Sequence, residues 1–108
     1  MLSLEYLAGL VDGEGNIALR PSNKGKYRKY YPGIQITNTY RPVLEMVLLQ
    51  FGGRIDGPKR SRGSTKDCWD WRATGDTARN LIRALIPHLI IKRDIAVQVL
   101  LDDQKDGV

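Results

Sequence analysis

The stretch LAGLVDGEG, residues 7–15, constrains this chain more than any other part of it. It continues a helical pattern: Leu4, Leu7, Ala8 and Val11 follow Ser3, a good N-cap, at helical spacing, and the helix is expected to run to about Gly13. Yet the stretch holds three glycines, and glycine inside a helix costs about 1 kcal/mol relative to alanine. Asp12 and Glu14 then fall at the helix end, where the macrodipole disfavours negative charge. Gly9 and Gly13 make sense as a small-xxx-small pair, which lets a second helix backbone come close. The sequence has no second copy of the stretch, so the expected partner is the same helix of another chain in a twofold homodimer. Leu7, Ala8, Gly9, Asp12 and Gly13 are expected to line that contact.

In such a pair two Glu14 side chains would converge near the axis. They would repel unless a cation lay between them, and hard oxygen ligands select Mg²⁺, Mn²⁺ or Ca²⁺. An isolated D-x-E more often caps a turn or meets an arginine. The residues alone leave both readings open.

The remaining pattern predicts strands at residues 16–20 and 29–38, a polar turn between them, and a helix at 39–51 with Pro42 in its first turn. Val43, Met46, Val47 and Gln50 are expected to form that helix's stripe, and Gly52 and Gly53 to stop it. Residues 54–59 and 67–73 read as a hairpin, 74–86 as a helix ended by Pro87, and 92–101 as a last helix before a solvated polar tail. The reading is one α+β domain over residues 1–108, with one mostly antiparallel sheet and helices on one face of it. Trp69 and Trp71 are expected under the helices, and His88 at the surface.

Composition narrows the chemistry. A single cysteine and a single histidine exclude a disulfide framework and zinc-finger chemistry, and make Cys/His catalysis a poor fit. Carboxylates, cations and amides remain. No signal peptide or membrane span is read, and a reducing, intracellular setting is expected. The net charge of +5 suits a polyanionic partner.

The face of the sheet away from the helices offers Arg20, Lys29, Tyr31, Gln35, Thr37, Arg54, Asp56, Cys68, Asp70 and Arg72. Arginine and glutamine match the major-groove edges of guanine and adenine. The loops add Lys24, Lys26, Arg28, Lys59, Arg60 and Arg62 for phosphates. A solvated sheet face with charged turns is the other reading of the same pattern. A strand of about seven residues spans roughly 23 Å, or roughly seven base pairs at about 3.4 Å each. Two half-sites and a central gap would then make a near-palindromic target of roughly two helical turns.

LAGLVDGEG resembles the signature of the LAGLIDADG homing endonucleases, with Val11 for isoleucine, Gly13 for alanine and Glu14 for aspartate. The element order is similar to that family's αββαββα fold, and a single motif resembles its homodimeric, intron-encoded members. The resemblance implies a sheet forming a DNA-binding saddle and metal-dependent cleavage of both strands. It implies that Glu14 and the Gly13 carbonyl hold Mg²⁺, or Mn²⁺ in its place. It further implies that Asn38 orders water around the metal, that Lys92 stabilises developing charge, and that Asp12 is more structural than catalytic. Arg41 is a further basic candidate. Relatives that no longer cut serve as RNA-splicing maturases or DNA-binding regulators, which is the alternative function. The acid, the lysine and the amide favour the nuclease.

Overall fold

The computed structural model describes residues 1–21, 29–60, 63 and 65–106. In chain order these form α1 (Leu4–Glu14), β1 (Gly15–Pro21), β2 (Tyr30–Asn38), α2 (Arg41–Phe51), β3 (Arg54–Lys59), β4 (Cys68–Thr74), α3 (Gly75–Leu85), a 3₁₀ turn (Ile86–His88) and α4 (Arg93–Asp106). The strands make one antiparallel sheet in the order β1-β2-β4-β3. The helices cover one of its faces, which makes this the expected α+β arrangement. No helix among the described residues is long and apolar enough to cross a membrane.

Period-two alternation builds the two layers. Ile17, Ile34, Ile36, Trp71 and Ala73 face the helices and are buried. They meet Leu7, Ala8 and Val11 of α1, Val43, Leu44 and Val47 of α2, and Ala78, Leu81, Ile82 and Leu85 of α3. Trp71 also donates from Nε1 to the Gly52 carbonyl at 2.8 Å, so its one polar atom is satisfied. Trp69 lies only partly under the helices.

α1 starts as expected, with the Ser3 hydroxyl accepting from the Tyr6 amide at 3.1 Å. It runs directly into β1: Gly15 closes the helix through its N–H to Val11 and opens the strand. A Cβ on Gly15 would stand 2.8 Å from the Val11 backbone, so only glycine fits this junction.

Three expectations change. The buried stripe of α2 is Val43, Leu44 and Val47, while Met46 is exposed, because the helix presents its 43/44/47 face to β4 and β3. Gln50 is not a packing residue; its amide clamps Leu2 through Leu2 N to Oε1 and Nε2 to Leu2 O, both at 2.9 Å. The C-terminal tail is helical to Asp106, and Asp103 binds Arg79 of α3 through Nε at 2.6 Å and a second nitrogen at 3.0 Å.

Candidate catalytic centre and nucleic-acid interface

The end of α1 and the end of β2 meet. Asn38 Nδ2 donates to Glu14 Oε2 at 2.7 Å. The Asn38 amide is itself oriented, because its Oδ1 accepts the Tyr40 backbone N–H at 2.8 Å. That bond turns the Asn38 NH₂ toward Glu14 and settles which end of the amide points where. Glu14 is exposed and keeps Oε1 and further lone pairs for other partners.

Lys92 joins the same helix end from the other side. Its Nζ donates to the Asp12 carbonyl at 2.6 Å, one of the last-turn carbonyls that no helical N–H can reach. The Asp12 carboxylate turns the opposite way and holds the segment before α4, accepting from Ile90 N at 2.8 Å and Lys92 N at 3.0 Å. Desolvation pushes the Asp12 carboxyl up. The amides of Ile90, Lys92 and Ile91, with the Lys92 charge, outweigh it and hold the group below the usual carboxylate range. Asp12 therefore acts as a staple that fixes the Lys92 segment at the C-terminal end of α1.

The other face of α1 is open. Gly9 and Gly13 are exposed, and a Cβ at either would meet nothing within 4 Å. Leu7 and Ala8, expected on the chain–chain contact, have no exposed surface because they point into the chain's own core. The free face carries Tyr6, Gly9 and Gly13 instead, with Ile90 and Ile91 exposed in the segment that Asp12 holds.

On the uncovered sheet face the register aligns side chains in rows. Asn16, Gln35, Arg72 and Arg54 lie across all four strands, and Thr37, Asp70 and Asp56 form the next row. Asn16 was not among the expected residues, although its alternation with Ala18 and Arg20 carries the signal. Arg20 crosses β2 because Gly33 has no side chain: a Cβ there would stand 2.9 Å from Arg20 Nε. Arg20 thus reaches Gln35 Oε1 at 3.3 Å. Arg20, Tyr31, Arg54, Arg72, Thr74 and Thr77 line a cavity of about 400 Å³ at the outer end of the sheet.

Asp70 and Cys68 lie on this face but beneath its surface. Cys68 is buried and donates to the Lys59 carbonyl at 3.3 Å. Asp70 is 1% exposed, bonded to Thr37 Oγ1, Lys59 Nζ and, at 3.3 Å, an Arg72 nitrogen. Desolvation raises its pKa, but the bonds from Lys59 and Thr37, the Lys59 charge and the Arg72 bond more than offset this and leave it below the ordinary value. Neither residue offers a free polar atom to a partner above the sheet.

Lys59 reaches Asp70 because of a register shift between Asp56 and Lys59, which sets Lys59 opposite Cys68. Strict alternation would have turned it to the other face. Arg54 pairs with Asp56 at 3.2 Å, and Arg60 with Asp67 at 3.1 Å. Lys29 is exposed just before β2. Arg41 is turned along α2, on Glu45 at 2.9 Å and over the Trp69 ring at 5.8 Å. Lys24, Lys26, Arg28 and Arg62 lie outside the described residues.

A polar four-stranded sheet, backed by helices and ending beside an acid at the tip of an open glycine-faced helix, defines a class. The fold is that of the LAGLIDADG homing endonucleases. The chain superposes on the homing endonuclease I-CvuI, solved with a DNA target in the presence of magnesium, with a TM-score of 0.76 and 23% identity over 96% of this chain and 67% of that one. It is similar to the archaeal intron-encoded homing endonuclease I-Vdi141I, solved with DNA (TM-score 0.70, 17% identity, 94% of this chain and 66% of that one). It also superposes on the LAGLIDADG meganuclease I-CpaMI bound to uncleaved DNA (TM-score 0.69, 14% identity, 97% of this chain), of which it spans only 38%. No family model and no curated protein matches the chain.

Proposed function

We propose that the chain is a site-specific homing endonuclease, encoded by a mobile intron and working as a pair of identical chains that breaks both strands of a long, near-palindromic DNA target. The observation that carries the reading is the Asn38–Glu14 bond at the tip of α1, where an oriented amide fixes a solvent-facing carboxylate, while Lys92 binds a backbone carbonyl of the same helix end. The open Gly9 and Gly13 face supports the pairing, since a backbone can approach it without displacing any side chain.

The residues fit a hard divalent ion of the magnesium class. Glu14 offers carboxylate oxygen, and Gly13 offers a last-turn carbonyl without a helical donor. Among the described residues no group of three or more acids, histidines or cysteines surrounds it, so the shell would be completed by a second Glu14 and by phosphate oxygens. When bound, such an ion supplies an activated water and stabilises the leaving oxygen. Asn38 holds the Glu14 carboxylate in one orientation. Lys92 presents positive charge at the helix end, where charge develops on the scissile phosphate. Asn16, Arg20, Tyr31, Gln35, Arg54 and Arg72 face the base edges, and Lys29, Lys59 and Arg60 face the phosphates.

The test is cleavage of a library of near-palindromic duplexes with Mg²⁺ and again with EDTA. The nuclease predicts metal-dependent double-strand breaks that Glu14→Gln abolishes. Equal cutting by Glu14→Gln would overturn the reading, and tight binding without cutting would assign the chain to the maturase or regulator class instead.

A further inference from the structure

A chain of polar side chains crosses the uncovered sheet face, and its direction is fixed at one end. Asp70 is buried and ionised, so it only accepts hydrogen bonds. The Thr37 hydroxyl must therefore donate its single proton to Asp70 Oδ1. With that proton committed, Thr37 Oγ1 is an acceptor to its other neighbour, the Gln35 amide nitrogen at 3.5 Å. Gln35 is thereby turned with Nε2 toward Thr37 and Oε1 toward Arg20, which donates to it at 3.3 Å. The two outer links are long, and they favour this turn of the amide because Thr37 Oγ1 can only accept and Arg20 can only donate.

We infer that Asp70 is a positioning residue for base recognition: through Thr37 it fixes the orientation of the Gln35 amide and so selects adenine opposite Gln35. The inference rests on the DNA-reading function proposed above. The chemistry follows from counting. Gln35 has two N–H donors and two lone pairs on Oε1. One donor goes to Thr37 and one lone pair to Arg20, which leaves one donor and one acceptor. Adenine presents the complement in the major groove, the N7 acceptor and the N6 donor. Guanine presents two acceptors there and suits arginine instead. Gln35 is partly exposed, as a residue that meets a base must be, whereas Asp70 is sealed below it.

The arrangement also says what removing the charge does. Lys59 and Arg72 both donate to Asp70 Oδ2. In Asp70→Asn the side-chain oxygen stays with these two cations, so the new NH₂ faces Thr37. The hydroxyl then accepts from below and donates upward, and the amide of Gln35 is pulled round against Arg20.

The experiment selects binding sites from a randomised near-palindromic duplex library, in EDTA so that nothing is cut, and reads the base preference at every position. The parent is expected to enrich adenine at one position of each half-site, and Gln35→Ala to lose that preference. Asp70→Asn should reduce the preference at that same position by about tenfold, and leave the other positions within about twofold. Thr37→Val should reproduce the loss and Thr37→Ser, which keeps the hydroxyl, should restore the preference. This pair carries the test by itself if Asp70→Asn does not fold. The inference is overturned if Asp70→Asn lowers all preferences evenly, as general loosening of the sheet would, or leaves the Gln35 position untouched. It is equally overturned if Thr37→Val keeps the adenine. A parent that enriches no sequence at all would remove the DNA-reading function itself, an outcome distinct from a selective parent whose Gln35 position ignores Asp70.

Discussion

Asn38 and Glu14 stand at the ends of different elements and are joined by one hydrogen bond of 2.7 Å, with the Tyr40 backbone holding the amide from behind. The carboxylate is therefore oriented by a residue 24 positions away. In the proposed nuclease Asn38 would be an outer partner that tunes the metal ligand Glu14 without being one, and the loss of such a partner costs about ten- to a hundredfold in metal affinity or activity. Asn38→Ala is expected to slow Mg²⁺-dependent cleavage by about that factor and to raise the Mg²⁺ concentration needed for half-maximal rate. DNA affinity measured in EDTA should hold. A rate loss with unchanged metal dependence would show that Asn38 does not act through Glu14.

In the proposed nuclease Asp12 and Lys92 divide two roles between them. Removing the Asp12 carboxylate takes the acceptor from the exposed Ile90 amide and the half-buried Lys92 amide, at about 1 kcal/mol for each bond. In a chain of this size each kcal/mol moves the melting temperature by about 4–8 °C. Asp12→Ala should thus melt clearly lower by circular dichroism. Lys92→Met should melt closer to the parent than Asp12→Ala yet cut slowly, because it removes the positive charge at the end of α1 and a single bond, to the Asp12 carbonyl. The opposite pattern would make Lys92 the structural member of the pair.

The alternation of Ile34 and Ile36 against Gln35 and Thr37 made the two sheet faces legible in the sequence, and the Ser3 cap, Gly52, Gly53 and Pro87 marked helix ends. The resemblance that singles out Glu14 rests on the nine residues of LAGLVDGEG. What was not legible depends on register and on tertiary reach. Lys59 changes face through a bulge that alternation does not encode. Asp70 and Cys68 point the expected way but lie under longer neighbours, which only the packed sheet reveals. Leu7 and Ala8 stand beside Gly9 in sequence, yet a helix turns about 100° per residue. They therefore face the core while Gly9 faces out. The Asp103 pairing with Arg79 spans 24 residues and left no local trace in a tail that reads as polar throughout.

The open face of α1 makes a prediction in which two effects take opposite signs. A Cβ at Gly9 meets nothing in the chain, and replacing glycine in a helix interior gains about 0.5–1 kcal/mol. Gly9→Gln should therefore raise the stability of the single chain at low concentration. In the proposed pair the same side chain stands between two closely packed backbones and should shift the sedimentation profile from dimer to monomer. A variant that is both more stable and still dimeric would place the contact elsewhere.

Asp103 ties α4 to α3 through Arg79, which also holds Asp76. The Arg79 guanidinium bond lowers the Asp103 pKa against a smaller opposing desolvation, so the folded value lies below the unfolded one. A carboxyl of this kind contributes its full stability above its unfolded pKa of about 4 and loses it as pH falls through the lower, folded value. Denaturant midpoints should hardly change from pH 7 to 5 on account of this pair, then fall below about pH 4. Asp103→Asn should lower the midpoint at pH 7, by the equivalent of about 2 kcal/mol for a lost bond to a charged group. It should also flatten the acid limb, so that variant and parent converge as the pH drops. A gap that stays constant down to the acid limit would mean that α4 is held to α3 by packing around Ala96 and Val99 rather than by this ion pair.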